Sequence, residues 1–233
     1  MNARIDSTLG LLREAAALAP AAFSTSFGAE DMVLLDLIRR NRIAIDVFTL
    51  DTGRLHEDTY ALMQRVEQVY GRCYETFYPD SIALQTLVRE RGINGFYASI
   101  DNRKACCEVR KVEPLKRALA GRRAWVTGLR SQQAVSRAQL GARARDHALG
   151  LEKFNPLHDW TESQVWEYLR SRGVPYNGLH DRHYPSIGCA PCTRAVALGE
   201  DVRAGRWWWE NAESKECGLH PSQPSTIPIG AAA

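Results

Sequence analysis

The stretch AAFSTSFGAEDMVLLDLIRRNRIAIDVFTLDTG, residues 21–53, decides the fold. AAFSTSFG (21–28) begins apolar and ends in small and polar residues. EDMVLLDLIRR (30–40) changes to helical spacing. IAIDVFTLDTG (43–53) returns to an apolar, β-branched run that closes on Asp51, Thr52 and Gly53. Strand, helix and strand in this order predict a parallel pair joined by a crossover helix. The pattern extends outward. HEDTYALMQRVEQVYG (56–71) predicts a helix, CYETFYP (73–79) a strand ended by Pro79, and SIALQTLVRERG (81–92) a helix stopped by Gly92. RAWVTGLR (123–130) reads as another buried strand, and TESQVWEYLRSRG (161–173) as a helix opened by the capping-box pair Thr161 and Gln164. The expectation is an α/β fold, a mostly parallel sheet flanked by helices. Residues 131–150 hold three arginines, two glycines and little apolar periodicity. They read as a loop, either closing over a ligand or simply solvated.

The 233 residues suit one domain, and the 45% hydrophobic share suffices for a core. A net charge of +3 gives no case for a nucleic-acid partner, though it suits a small anion. No apolar run approaches the roughly 18 residues of a membrane span. The start, MNARIDSTLGLLREAAALAP, is interrupted by Arg13 and Glu14, which predicts an amphipathic helix rather than a signal peptide. The expected compartment is the cytoplasm. There the six cysteines (Cys73, Cys106, Cys107, Cys189, Cys192 and Cys217) point to metal ligation or thiol chemistry rather than to disulfides.

In parallel sheets, ligands bind beyond the carboxyl ends of the strands. Three polar clusters fall there: Ser24–Gly28, Asp51–Arg54 and Gly128–Arg130. STSFGAED (24–31) can bring backbone N–H groups and a helix N-terminus to an anion. Its spacing is neither GxxxxGK[ST] nor GxGxxG, and an ordinary strand-to-helix turn fits equally. LDTG (50–53) can read a ribose or base, or cap the next helix. KACCEVRK (104–111) and IGCAPCTR (187–194) supply four thiols, enough for a tetrahedral zinc site or a [4Fe–4S] cluster. Inert buried thiols are the plain alternative. A C-x-x-C redox pair is another, and it leaves Cys106 and Cys107 unexplained. Cys217 sits in SKECGLHPSQPS (214–225), where Lys215 and His220 favour the thiolate and Glu216 opposes it. An incidental tail cysteine is the plain reading. Cys73 reads as a core thiol, His56 as a helix opener, and Trp207, Trp208 and Trp209 as packing.

The motifs taken together do more. SFGAED, FTLDTGRLHEDTY, CCEVRKVEPLKRAL, TGLR, KFNPL, PYNGLHDRHYPSIGCAPCTR, GRWWWE and KECGLH occur in one order. In this the chain resembles the assimilatory adenylylsulfate reductases of the phosphoadenylylsulfate reductase family, from about residue 22 to residue 220. The resemblance implies a Rossmann-like adenine-nucleotide α-hydrolase (PP-loop) fold. It implies a single reductase domain over 1–233, with a mobile carboxyl segment (210–233) that carries the nucleophile Cys217. It implies a [4Fe–4S] cluster on Cys106, Cys107, Cys189 and Cys192. Adenylyl sulfate is the implied substrate and thioredoxin the implied reductant, with a homo-oligomer plausible. The implied substrate-binding residues are Ser24, Ser26, Phe27 and Gly28 on the phosphate side, and Leu50, Asp51, Thr52 and Gly53 facing the nucleotide. The basic set is Lys111, Arg130, Arg203 and Arg206, with His220 in the tail. One departure is SQQAVSRAQL after TGLR, where many relatives are more basic; Arg137 matches their downstream arginine. The alternatives are a reductase of the 3′-phosphorylated nucleotide and an ATP-dependent adenylating enzyme of the same fold. The latter wants an SGGxDS-type loop that SFGAED lacks. A zinc-stabilised binding module without catalysis is a third reading.

Overall fold

Residues 21–53 fold as strand β1 (Ala21–Thr25), a helix (Ala29–Arg40) and strand β2 (Asp46–Leu50), and the two strands pair in parallel. The computed structural model describes residues 1–133 and 137–210. In chain order the helices are α1 (Asn2–Ala17), α2 (Ala29–Arg40), α3 (Glu57–Tyr70), α4 (Ser81–Arg91), α5 (Ile100–Cys107), α6 (Glu113–Leu119) and α7 (Glu162–Ser171). The remaining strands are β3 (Glu75–Phe77), β4 (Ala124–Val126), β5 (Arg143–Asp146) and β6 (Leu151–Phe154). The sheet order is β3-β2-β1-β4-β6-β5, parallel throughout except for β5 against β6. Among the described residues, no helix is long and apolar enough to cross a membrane.

Alternation along the strands builds two cores. Ala21, Phe23, Val47, Ala124 and Val126 point to the face covered by α1, α2 and α7, where Leu12, Met32, Leu35, Trp160 and Leu169 are buried. Ala22, Phe48 and Trp125 point the other way, onto Leu115, Ala118 and Leu119 of α6. Asp36 of α2 is wholly buried and accepts hydrogen bonds from Tyr70 Oη, Tyr168 Oη (both 2.7 Å) and Arg40 Nε (2.6 Å), tying α2 to α3 and α7.

Local signals set the helix starts. Thr161 accepts from the Gln164 N–H and Gln164 reaches back to the Thr161 N–H, the capping box expected from sequence. Asp80 and Ser99 cap α4 and α5. His56 occupies the N-cap position of α3, as its place after LDTGRL suggested.

The segment 131–150 departs from the loop reading. Residues 143–146 form the edge strand β5, because Arg143 and Arg145 both bond Glu152 of β6 across the ladder (2.9 and 3.0 Å). Strand β6 lies within KFNPL and its approach, and charged residues hid it: Glu152 and Lys153 interrupt the apolar run.

Candidate active site

The carboxyl ends of β1, β2 and β4 open into a cavity of about 650 Å³. Ser24, Thr25, Ser26 and Gly28 line one side, Leu50 and Thr52 another, and Gly128, Leu129 and Arg130 a third. The α2 N-terminus sits at the first of these, with Gly28 as N-cap, so its positive end serves an anion held there. The Ser26 N–H and hydroxyl both donate to Asp31 Oδ2 (2.6 and 2.8 Å), which folds the turn back on the helix. Burial of Asp31 pushes its carboxyl up to about 6, against the lowering effect of the Ser26 donors. Asp31 also lies directly on Gly128, where a Cβ would come 2.2 Å from Oδ1; only glycine lets the two loops touch. Trp125 Nε1 donates to Ser24 Oγ at 2.8 Å, fixing the end of β1 from below.

Basic side chains ring the same cavity: Lys111, Arg130, Arg137, Arg203 and Arg206 all line it. Arg130 is buried and donates from Nε to Glu30 Oε1 at 2.7 Å. Arg206 is buried too and lies against Gly188, where a Cβ would come 2.4 Å from the guanidinium. Its Nη1 donates to the Ile187 carbonyl at 3.2 Å. His180 also lines the cavity, and burial holds its imidazole below the ordinary value.

A second, much smaller cavity of about 20 Å³ is lined by Cys106, Cys107, Cys189 and Cys192 together with Arg54, Arg103, Arg110 and Lys111. Three features gather these residues. A π-helical turn (Glu108–Val112) joins α5 to α6 and re-phases the helix after the paired cysteines. The C-x-x-C loop is pinned to the LDTG loop, since the Ala190 N–H donates to the Arg54 carbonyl at 2.8 Å and Thr52 Oγ1 lies 3.3 Å from Cys189 Sγ. Arg110 reaches from the π turn to the Thr52 carbonyl at 2.5 Å.

The sulfurs feel one another. Burial, then Cys189, pushes Cys192 up to about 12, with Cys107 and Cys106 adding to the rise. Burial also raises Cys106. Burial opposes ionisation at Cys189, yet Lys111, Thr52, Arg206 and Arg110 together outweigh it and lower that thiol. Among the described residues no three His, Cys, Asp or Glu side chains stand together as a ready metal-ligand group, although the four thiols line one cavity.

The structure thus brings Ser24, Ser26, Gly28, Leu50, Thr52, Lys111, Arg130, Arg203 and Arg206 to one cavity. Phe27 goes elsewhere: its ring is buried in the core, edge-on to Tyr74 at 5.2 Å. Asp51 and Gly53 do not line the cavity either. Asp51 accepts from the Gly53 N–H and the Tyr60 hydroxyl (both 2.8 Å) and shapes the loop from behind. Cys217 and His220 lie outside the described residues. Cys73 is half-buried beside the core, and Trp208 is half-exposed while Trp207 is buried.

Sequence reasoning missed Trp125, His180, Arg103 and Arg110. Arg103 was within reach, because it stands four residues before Cys107 on one helix face. Lys111, Cys189 and Trp207 line both cavities and form their common wall.

Residues 20–195 match the family described as the phosphoadenosine phosphosulfate reductase domain. The chain is 60% identical over 211 residues to an adenosine 5′-phosphosulfate reductase of Allochromatium vinosum, covering 88% of this chain and 82% of that protein. It is 52% identical to an adenosine 5′-phosphosulfate reductase of Burkholderia cepacia, covering 91% and 84% of the two chains. Among solved structures, a phosphate complex of phosphoadenylyl-sulfate reductase from Candida auris superposes with a TM-score of 0.69 at 29% identity, over 81% of this chain and 90% of that one. FMN adenylyltransferase from Candida glabrata shares the fold alone, with a TM-score of 0.57 at 14% identity, over 94% and 78%.

Proposed function

The chain belongs to the phosphoadenosine phosphosulfate reductase domain family and has its PP-loop α/β fold, and from that premise we propose that it is an assimilatory adenylylsulfate reductase. The observation that carries the reading is the common wall of Lys111, Cys189 and Trp207 between a nucleotide-sized basic cavity and a four-thiol cavity. The naming of relatives at 60% and 52% identity favours adenylyl sulfate over its 3′-phosphorylated form. SFGAED, with no second glycine, disfavours an ATP-cleaving enzyme of the same fold.

In this reading the phosphosulfate lies between the α2 N-terminus and the basic ring. Ser26 and the backbone around Gly28 bind phosphate oxygens, and Lys111, Arg203 and Arg206 neutralise charge near the sulfate. Leu50 and Thr52 face the nucleoside. The Cys217 thiolate attacks the sulfate sulfur, and the bond from that sulfur to the phosphate oxygen breaks. AMP leaves with the electron pair, and an enzyme S-sulfocysteine remains. Thioredoxin, the proposed reductant, then attacks the Cys217 sulfur with one thiolate. The S–S bond breaks, sulfite leaves with the pair, and the second thioredoxin thiol resolves the mixed disulfide. The reaction joins an anionic nucleophile to an anionic substrate, so the ring of cations lowers a barrier that water alone would leave high.

We further assign Cys106, Cys107, Cys189 and Cys192 as ligands of a [4Fe–4S] cluster. The donor set fits: four thiols line one buried space, coupled through their charges and flanked by Arg110 and Lys111. When bound, the cluster supplies structural linkage and local charge, since two-electron thiol chemistry needs no electron carrier.

The test is turnover of purified chain with adenylyl sulfate and a thioredoxin system. Equal yields of AMP and sulfite are expected, with the 3′-phosphorylated nucleotide at least about tenfold slower, as charge and fit discriminate. Cys217→Ser is expected to abolish sulfite release while nucleotide binding persists. Normal turnover in that variant, or pyrophosphate release from ATP, overturns the reading.

A further inference from the structure

At the last described residues the chain makes a contact with the lining of the small cavity: Glu210 lines neither cavity, and its partner Arg103 lines the thiol one. Glu210 takes a fork of hydrogen bonds from Arg103 of α5, Nε to Oε1 at 2.9 Å and Nη2 to Oε2 at 2.7 Å. Both side chains are buried, at 0% and 3% exposure. A buried ion pair contributes little net stability, and its use is to fix geometry. Everything around it fixes the same short segment. The Trp207 N–H donates to the Cys192 carbonyl at 3.0 Å, and the Glu210 N–H to the Trp207 carbonyl at 2.8 Å. Both Arg103 and Arg206 place their guanidiniums over the Trp207 ring, at 4.7 and 4.8 Å. Trp207 itself has φ +40, a strained backbone for a bulky residue, and such strain persists only where surroundings impose it.

Cys217 is seven residues beyond Glu210 in the sequence. We propose that the Arg103–Glu210 pair is a positioning device for the reaction: it roots the chain that carries the nucleophile at the wall between the two cavities. The inference rests on the adenylylsulfate reductase reading, in which Cys217 attacks. Whatever path the intervening residues take, seven residues span at most about 25 Å. A thiol tethered from a fixed root has a high effective concentration at its target, falling roughly as the −3/2 power of tether length once the span is reached. Neither Arg103 nor Glu210 lines the large cavity, and of the two only Arg103 lines the small one. They act through the chain they hold.

The test uses the holoenzyme, adenylyl sulfate and no reductant, and follows S-sulfocysteine formation by intact mass in a single turnover. Glu210→Gln keeps the shape of the side chain but removes the counter-charge of Arg103. Its transfer rate is expected to fall about tenfold through lost orientation, while AMP affinity and visible absorbance stay within twofold. A second pair of variants leaves the ion pair intact and inserts four or eight Gly/Ser residues directly after Glu210. Their rates are expected to fall about twofold and threefold, and they decide the matter if Glu210→Gln does not fold. Wild-type transfer rates in Glu210→Gln or in the longer insertion overturn the inference. So does a parallel loss of AMP binding, absorbance and rate in Glu210→Gln, which marks a purely structural pair. Absence of any adduct on the unaltered chain overturns the function reading itself, and this inference with it.

Discussion

The two cavities are built in opposite ways. The large one is assembled from consecutive strand ends, β1, β2 and β4, each with its loop immediately following in sequence. The small one joins α5 to a loop far along the chain, and only the tertiary fold brings Cys106 and Cys107 to Cys189 and Cys192. The first is a property of sheet topology. The second depends on a few long-range contacts, such as Ala190 to Arg54 and Arg110 to Thr52. One wall belongs to both, so the question is how independently they behave.

The largest expected effect separates them. Cys106→Ser and Cys192→Ser each remove one thiol of the small cavity. Broad absorbance near 400 nm (roughly where thiolate-bound clusters absorb) is expected to vanish. Turnover should fall by more than the roughly ten- to hundredfold typical of outer-shell changes at metal sites. AMP binding, measured by equilibrium dialysis, should stay within about threefold if the large cavity stands on its sheet alone. Loss of AMP binding together with colour breaks the comparison.

Next comes the acid that shapes the large cavity. The Asp31 carboxyl titrates at about 6 in the fold, against 3.8 unperturbed. Between those values the folded chain keeps a proton that the unfolded chain has released. Asp31 therefore favours the fold most below the lower value, and that advantage is lost as pH rises through about 6, a change of about 3 kcal/mol. Urea melts across this window should show the decline, and Asp31→Asn should flatten it.

Gly128→Ala is expected to cost about 2 kcal/mol, because the new methyl meets Asp31 and must push the Ser26 turn aside. Nucleotide affinity should weaken while visible absorbance stays unchanged, the mirror image of the cysteine variants. Smallest of all, Arg145→Ala removes one exposed rung of the β5–β6 edge. About 0.5 kcal/mol or less is expected in a thermal melt, with neither cavity altered.

The same contrast explains how much was legible in the sequence. Strand ends announce themselves locally: STSFG and LDTG each follow an apolar run, so the large cavity and its sheet could be placed from spacing. The four cysteines could be counted but not joined, because nothing in either motif encodes the distance between them; the resemblance in motif order supplied that. Strand β5 was hidden because its partner β6 is half charged, and an edge pair held by Arg143, Arg145 and Glu152 has no apolar period to read. Phe27 misled for a related reason. It sits amid a phosphate-type loop, but at φ +58 its ring turns inward to the core. Sequence gives the loop and not the direction of each side chain.

The π-helical turn at Glu108–Val112 has a consequence for how such a chain can change. Each residue of an α-helix advances it by about 100°, and a π turn holds one more residue than an α turn. Upstream of it the helix presents Cys106 and Cys107 to the thiol cavity; downstream it presents Leu115, Ala118 and Leu119 to the sheet. A shortening by one residue within the turn would leave both of these groups present and rotate one of them by about 100° relative to the other. A substitution along this helix changes one side chain, whereas an insertion or deletion turns a whole face, so its length is constrained at every position and its composition mainly at the thiols and the apolar face.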